Sequence, residues 1–247
     1  METFIIITGF EGVGGGRVPP EELWNISTGY IAYKNGDKYI LEEGRIRTKG
    51  DDNEMKRLRK LLPLTSVIKI SGTKKGNSIE LNEVLETDIK DDVDANAIIE
   101  EYIKPVTFKD DILGEFTLDK SVDIFSGYMN HNGSKISVSL DDKEDIKTAR
   151  ELYQDIDKIV RDASAFAAEK LTDLSNDWGM DDWDEDDGEY VPVTEESFAK
   201  RIVLRTISIS EEGEYTLWFD DDDMFWGHVV CVYGSIKDGF KDASIEG

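Results

Sequence analysis

The chain has 247 residues, 54 Asp and Glu against 29 Lys and Arg for a net charge of −25, two histidines and one cysteine. A hydrophobic share of 39% with 10% aromatics supports packed cores and excludes global disorder. Cys231 alone makes no internal disulfide or multi-cysteine metal site and fits a reducing cytoplasm, while the lack of a basic leader or a run of about 20 apolar residues argues against secretion and a membrane span.

Phe4 to Thr8 is β-branched and aromatic and reads as a buried strand. The glycines behind it, Gly9, Gly12, Gly14, Gly15 and Gly16, fail both phosphate-binding patterns. Glycine spacing of one, three and six, counted from Gly12 or Gly14, ends on Arg17 or Pro19. Arg17-Val18-Pro19-Pro20 stands where a P-loop has Gly-Lys-Ser/Thr. Pro19-Pro20 also forbids an immediate helix start whose amides would cradle phosphate. The cluster therefore reads as a flexible turn.

Two hairpins follow. Thr28 to Lys34 returns through Asp37 to Leu41 across Asn35-Gly36, a pair that tolerates positive φ at both positions. Ser66 to Gly72 returns through Ser78 to Leu85 across Lys74 to Asn77. Between them Asp51 or Asp52 caps a short helix with Met55, Leu58, Leu61 and Leu62 at helical spacing. Residues 1–90 thus suggest a small OB-like β-barrel with one short helix. The cations Arg45, Arg47, Lys49, Lys56, Arg57, Arg59 and Lys60 fall here, interleaved with Glu42, Glu43, Asp51, Asp52 and Glu54. A solvated face is expected ahead of a nucleic-acid or nucleotide site, which stands as an alternative. Residues 91–106 read as a linker helix, capped by Asp91-Asp92, striped by Ala95, Ile98, Ile99 and Tyr102, and ended before Pro105.

Residues 107–247 read as an acidic α+β domain, an antiparallel sheet packed by one long helix. Strands are predicted over 112–118, 122–130 and 135–140, with Asn132-Gly133 as a turn. Asp141 with Glu144 approaches a capping box. Ile146, Ala149, Tyr153, Ile156, Val160, Ala163, Ala167 and Leu174 then carry a helical stripe over about 30 residues, with a bend expected near Ala163–Ala168. Residues 177–189 follow, with eight acids and two tryptophans. Read as a calcium loop from Asp182, this segment has Asp187 in place of the glycine and Val193 in place of the final Glu, so that pattern fails. Thr194 caps a short helix to about Arg201. Strands are predicted over 202–209, 215–219 and 225–234, the last near-continuously apolar and so central.

Catalytic constellations are missing. His131 and His228 are too few for a histidine-rich metal site, and no Gly-x-Ser-x-Gly elbow exists. Cys231 lies mid-strand among apolar residues, where a thiol is inert. A carboxylate–imidazole metal hydrolase at Asp220 to Asp223 and His228 is a further alternative, behind a structural histidine paired with one of those aspartates. No enzyme, cofactor or metal is expected.

Three segments carry a resemblance: Leu113-Gly114-Glu115-Phe116-Thr117-Leu118-Asp119; Val138-Ser139-Leu140-Asp141; and above all Trp218-Phe219-Asp220-Asp221-Asp222-Asp223-Met224-Phe225-Trp226-Gly227-His228. With Phe240 to Gly247 they resemble a bacterial domain family of unknown function, number twenty-two sixty-two in its series, over about 107–247. The resemblance implies a bacterial α+β domain and no established activity. It is similar in flavour to small acidic immunity proteins that accompany bacterial toxins.

Charge then directs the functional expectation. Residues 1–104 hold 15 bases and 19 acids, net −4, which leaves 14 bases and 35 acids, net −21, for residues 105–247. Such a surface repels phosphates and anionic lipid and attracts basic proteins. The expectation is a cytoplasmic binding protein that meets a basic protein partner, without membrane or nucleic acid. The candidate contacts are Trp178, Asp181, Asp182, Trp183, Asp184, Asp186 and Asp187, then Asp220, Asp221, Asp222, Asp223, Trp226 and His228.

Overall fold

The computed structural model describes residues 2–182 and 191–247, with backbone alone at 181 and 182. The chain is α+β with two large sheets, and it divides into two compact units, Met1–Pro105 and Val106–Gly247. Among the described residues, no helix is long and apolar enough to cross a membrane.

The first unit builds one sheet from β1 (Glu2–Thr8), β2 (Gly14–Gly16), β3 (Trp24–Asn35), β4 (Lys38–Gly50), β5 (Val67–Lys75) and β6 (Ser78–Glu86). The order is β1-β5-β6-β4-β3-β2, and β1 also pairs with β3 through Ile6↔Tyr33 and Ile7↔Ala32. The β4–β6 pairing is parallel and short, Arg45 to Arg47 against Ser78 to Glu80. The glycine cluster is not simply a turn. Gly14 to Gly16 pairs as β2 with Asn25 to Ser27. A Cβ on Gly15 would stand 2.7 Å from Met55 Cε and 3.2 Å from Asn25 O, so glycine is what lets this strand approach.

Period-two alternation sends β1 into two cores. Phe4 and Ile6 join Ile26, Tyr30, Ile46, Ile68, Ile70 and Ile79. Helix α1 (Asp52–Leu61) adds Met55 and Leu58 to that cluster, and its N-cap Asp51 accepts from Glu54 N at 2.8 Å. On the other face Ile5 and Ile7, with Ile31, Ala32 and Val67, meet Ala95, Ile98, Ile99 and Tyr102 of α2 (Val93–Tyr102). The stretch anticipated as a linker thus contributes a helix to the core of the first unit.

The second unit holds β7 (Thr107–Asp110), β8 (Gly114–Asp119), β9 (Ile124–His131), β10 (Ser134–Leu140), β11 (Val203–Ile209), β12 (Glu214–Asp220), β13 (Val229–Ser235) and β14 (Gly239–Glu246) in one sheet, in sequence order. Every neighbouring pair is antiparallel except β10–β11, which is parallel. The expected antiparallel sheet is therefore mixed at one joint. Helices α3 (Ile146–Gln154), α4 (Ile156–Asp182) and α5 (Glu195–Arg201) fall between those two strands, as a parallel connection requires.

Several expected bounds shift. The long helix breaks at Asp155 (φ −118°, ψ 28°), while Ala163 to Ala168 runs unbroken inside α4. Ile112 and Leu113 sit between β7 and β8, because buried Asp110 draws both amides onto Oδ1 at 2.9 and 2.8 Å. The apolar run expected as a strand from Phe225 becomes β13 only at Val229, and β14 lies beyond it. β13 is still flanked on both sides, by β12 and β14.

One face of this sheet is apolar. Val138, Leu140, Leu204, Ile207, Leu217, Phe219, Val230 and Val232 pack with Ala149, Leu152, Ala163, Ala167 and Phe198 from the three helices. The opposite face is hydroxyl-rich. Thr117, Ser126, Ser139, Ser208, Thr216, Tyr233 and Asp242 are successive cross-strand partners from β8 to β14.

Candidate functional site

The acidic run of the C-terminal unit is built into the connection between β12 and β13. Four of its residues take positive φ: Asp222 (51°), Asp223 (64°), Trp226 (57°) and Gly227 (85°). Aspartate and glycine tolerate this region and tryptophan does so reluctantly, so the fold around Trp226 must impose it. The Phe225 carbonyl closes the turn over Trp226 and Gly227 by accepting from His228 N at 3.1 Å, and the turn before it is ordered by Asp221. This aspartate is 3% exposed, and its carboxylate accepts from the amides of Asp223 at 3.1 Å and Phe225 at 2.6 Å. Its own carbonyl accepts from Met224 N at 3.2 Å.

The aromatic groups of the turn form a cluster. Fully buried Phe225 meets Phe198 at 6.1 Å and Trp178 at 5.6 Å between ring centroids. Trp178, half-buried near the end of α4, also meets Trp226 at 4.7 Å and His228 edge-on at 5.3 Å. Trp226 is 54% exposed. Of the two sequence-predicted groups, then, the structure brings Trp178 to Trp226 and His228. Trp183, Asp184, Asp186 and Asp187, and the side chains of Asp181 and Asp182, lie outside the described residues.

The remaining acids of the run have partners or face water. Asp220 takes Arg205 Nη2 at 2.8 Å and Nε at 3.3 Å. That guanidinium, helped by the Asp222 amide, holds Asp220 below the usual carboxylate range. Asp222 pairs with Arg201 Nε at 2.7 Å, and its carbonyl accepts from Arg201 Nη2 at 2.8 Å. Asp223 is exposed. The expected pairing of His228 with an aspartate is replaced by a backbone contact: Nδ1 lies 2.7 Å from Phe225 O. A carbonyl only accepts, so Nδ1 carries the proton and Nε2 is the acceptor in the neutral ring. The alternative carboxylate–imidazole site is thus dispersed over separate partners. Among the described residues no group of three His, Cys, Asp or Glu side chains is placed to hold a metal ion. His131 Nδ1 lies 3.6 Å from Asp157. Cys231 is buried, which pushes its thiol up to about 12, with Glu246 adding to the rise.

Next to this turn, the hydroxyl-rich sheet face carries a concavity of about 440 Å³. Arg205, Thr206, Ser208, Trp218, Asp220 and His228 are among its lining. The indole of Trp218 is pinned, with Nε1 donating to Ser208 Oγ at 3.0 Å. Sequence reasoning missed Arg201, Arg205, Ser208 and Trp218. The alternation Tyr215, Leu217, Phe219 was the available signal, since it sets Trp218 on the opposite face of β12.

Several cations of the first unit face acids. Arg45 pairs with Glu11 at 2.8 Å and Lys49 with Glu21 at 3.7 Å, while Arg47 is the cross-strand partner of Glu80. On α1, Arg57 bonds Glu54 through Nε at 2.8 Å and Nη2 at 2.7 Å.

Comparison with known proteins then gives two family matches. The family described as an uncharacterized protein conserved in bacteria, DUF2262, matches residues 110–245, and a domain of unknown function, DUF7021, matches residues 1–102. No curated protein and no solved structure matches the chain. The chain belongs to the bacterial DUF2262 family, as the segments around Phe116 and Trp226 suggest.

Proposed function

We propose that this DUF2262 member is a non-enzymatic, cytoplasmic binding protein whose acidic second unit engages a basic protein, as an immunity-type or anti-defence factor would. The observation that carries the reading is Trp226, exposed, packed at a tilt on Trp178 and held at positive φ in a turn that the Phe225 carbonyl closes by accepting from His228 N. A rigid exposed indole is a low-entropy anchor of the kind that dominates protein interfaces. The exposed Asp223 belongs to the same connection, in a half of the chain with net charge −21, so encounter with a basic partner is steered electrostatically.

For the first unit we infer an OB-like barrel. The pairings β1–β3, β3–β4, β4–β6, β6–β5 and β5–β1 return to their start, and α1 stands between β4 and β5. Nucleic-acid binding there has less support, because Arg45, Lys49 and Arg57 pair with Glu11, Glu21 and Glu54.

The test is affinity capture from the native bacterial lysate with the full chain and with Trp226→Ala. The same basic protein is expected at low salt with the wild type, lost at about 0.5 M salt, where the Debye length is roughly 4 Å, and lost with the variant. Capture unaffected by both changes, or no basic protein at low salt, would refute the reading.

A further inference from the structure

The concavity on the hydroxyl-rich sheet face plays no part in that reading and has its own chemistry. Its volume, about 440 Å³, falls within the roughly 300–1,000 Å³ of small-molecule sites. We propose that it binds a neutral saccharide ring, with Trp218 as the stacking platform and the Arg205–Asp220 pair as the hydroxyl clamp.

Trp218 Nε1–H is already satisfied by Ser208 Oγ, so the indole offers the groove hydrocarbon and π density. An aromatic face carries negative quadrupole density and attracts the polarised C–H groups of a sugar ring. Ser208 Oγ also accepts from Ser139 Oγ at 3.0 Å. With two acceptor positions filled, its own proton remains to be donated to a ligand oxygen. Arg205 spends Nε and Nη2 on one carboxylate oxygen of Asp220, which leaves Nη1 as a donor. Asp220 stays ionised and retains acceptor capacity. A donor and an acceptor held side by side match the alternating needs of adjacent hydroxyls. His228 adds Nε2 as a further acceptor.

Other ligand classes fit less well. Arg205 is neutralised by Asp220, and the groove lies in the acidic half of the chain, which disfavours a phosphate. A cation finds the Asp220 carboxylate already paired with Arg205 and the Asp221 carboxylate engaged by the amides of Asp223 and Phe225. A nucleobase would find one free indole, because Phe219 of the lining is buried in the helix-side core and the His228 ring is already engaged edge-on with Trp178.

The experiment follows the Trp218 Nε1–H resonance of the ¹⁵N-labelled full chain, identified by its loss in Trp218→Phe. Glucose, galactose, N-acetylglucosamine, maltose and cellobiose are each titrated to about 50 mM, a range suited to the millimolar affinity of ligands this small. Adenosine and choline are titrated alongside. At least one sugar is expected to shift the resonance saturably. By calorimetry with that sugar, Trp218→Ala and Asp220→Asn are expected to weaken binding about tenfold, while Trp218→Phe, which keeps a ring and guards against a merely misfolded variant, loses less. Trp226→Ala should leave the sugar response intact while abolishing partner capture, so the two proposals fail separately. No response to any sugar, a larger response to adenosine or choline, or undiminished binding by Trp218→Ala overturns the assignment.

Discussion

In the first unit β1 is apolar on both faces, Phe4 and Ile6 turned to one cluster and Ile5 and Ile7 to another under α2. In the second, β12 sends Tyr215, Leu217 and Phe219 to the helices, while Thr216 and Trp218 stand on the opposite face, away from the helices among the described residues. Strands of the first unit have neighbours on both sides wherever β1 links β5 to β3. The second ends in open edges at β7 and β14 among the described residues. The contrast teaches where surface chemistry can reside. A strand segment whose two faces both feed cores, as Phe4 to Ile7 do, displays no polar side chain. A sheet with one covered face displays rows of side chains at fixed spacing, and the groove around Trp218 lies on that display.

The largest expected effect attacks the doubly covered side. Leu58 is fully buried and ties α1 to Ile6, Ile46 and Ile79. Leu58→Ala should cost about 3–4 kcal/mol through lost transfer energy and a residual cavity, read from the urea midpoint at constant slope. A loss under about 1 kcal/mol would mean that α1 does not seal that cluster.

A middle-sized effect probes the polar lock of the open sheet. Asp110, its side chain 1% exposed, receives Ile112 N, Leu113 N and Arg150 Nε, the last at 2.8 Å, and also pairs with Arg150 Nη2. Burial pushes its carboxyl up, but the guanidinium and the two amides more than offset that, and the net direction is below the usual range. Asp110→Ala should therefore cost about 2–3 kcal/mol, since two buried amides lose their acceptor. The sign with pH follows. A depressed folded pKa contributes stability that is fully present above about pH 4 and disappears as the pH falls through the lower folded value. Asp110→Asn should flatten the stability curve below about pH 4 relative to wild type. An unchanged acid limb would show that this carboxylate is not the one that titrates there.

How much of this was legible depended on the range of the interaction. Local chemistry read true in part: Asn132-Gly133 turns its hairpin with φ of 50° and 81°, and Thr194 caps α5 by accepting from Ser197 N, whereas the first hairpin turns one residue later than expected, on Gly36 (φ 62°) and Asp37, with Asn35 still in β3 opposite Lys38. What depended on distant partners did not. The β10–β11 pairing joins Ser139 to Ser208 across the whole helical excursion, and nothing local in either strand specifies a parallel neighbour. The break at Asp155 escaped notice because the apolar stripe keeps its phase from Leu152 to Ile156. β14 was hidden by Lys241 and Asp242, charges that an edge strand tolerates. The acid run looked like a single anionic patch, because Arg201 and Arg205, which neutralise two of its members, come from another part of the sequence.

The smallest effect sharpens the contrast most, because it is read within one strand. Phe125 and Ser126 are adjacent in β9, the first in the helix-side core and the second exposed on the hydroxyl face. Phe125→Ala should cost about 3 kcal/mol. Ser126→Val should change stability by no more than about 0.5 kcal/mol, since β-branching suits a strand and an exposed serine surrenders little. The same urea midpoints measure both. A cost above about 1 kcal/mol for Ser126→Val would mean that the hydroxyl face is packed against something in the intact protein. The row from Thr117 to Asp242 would then be a buried seam, and the groove at Trp218 would lose its access to solvent ligands.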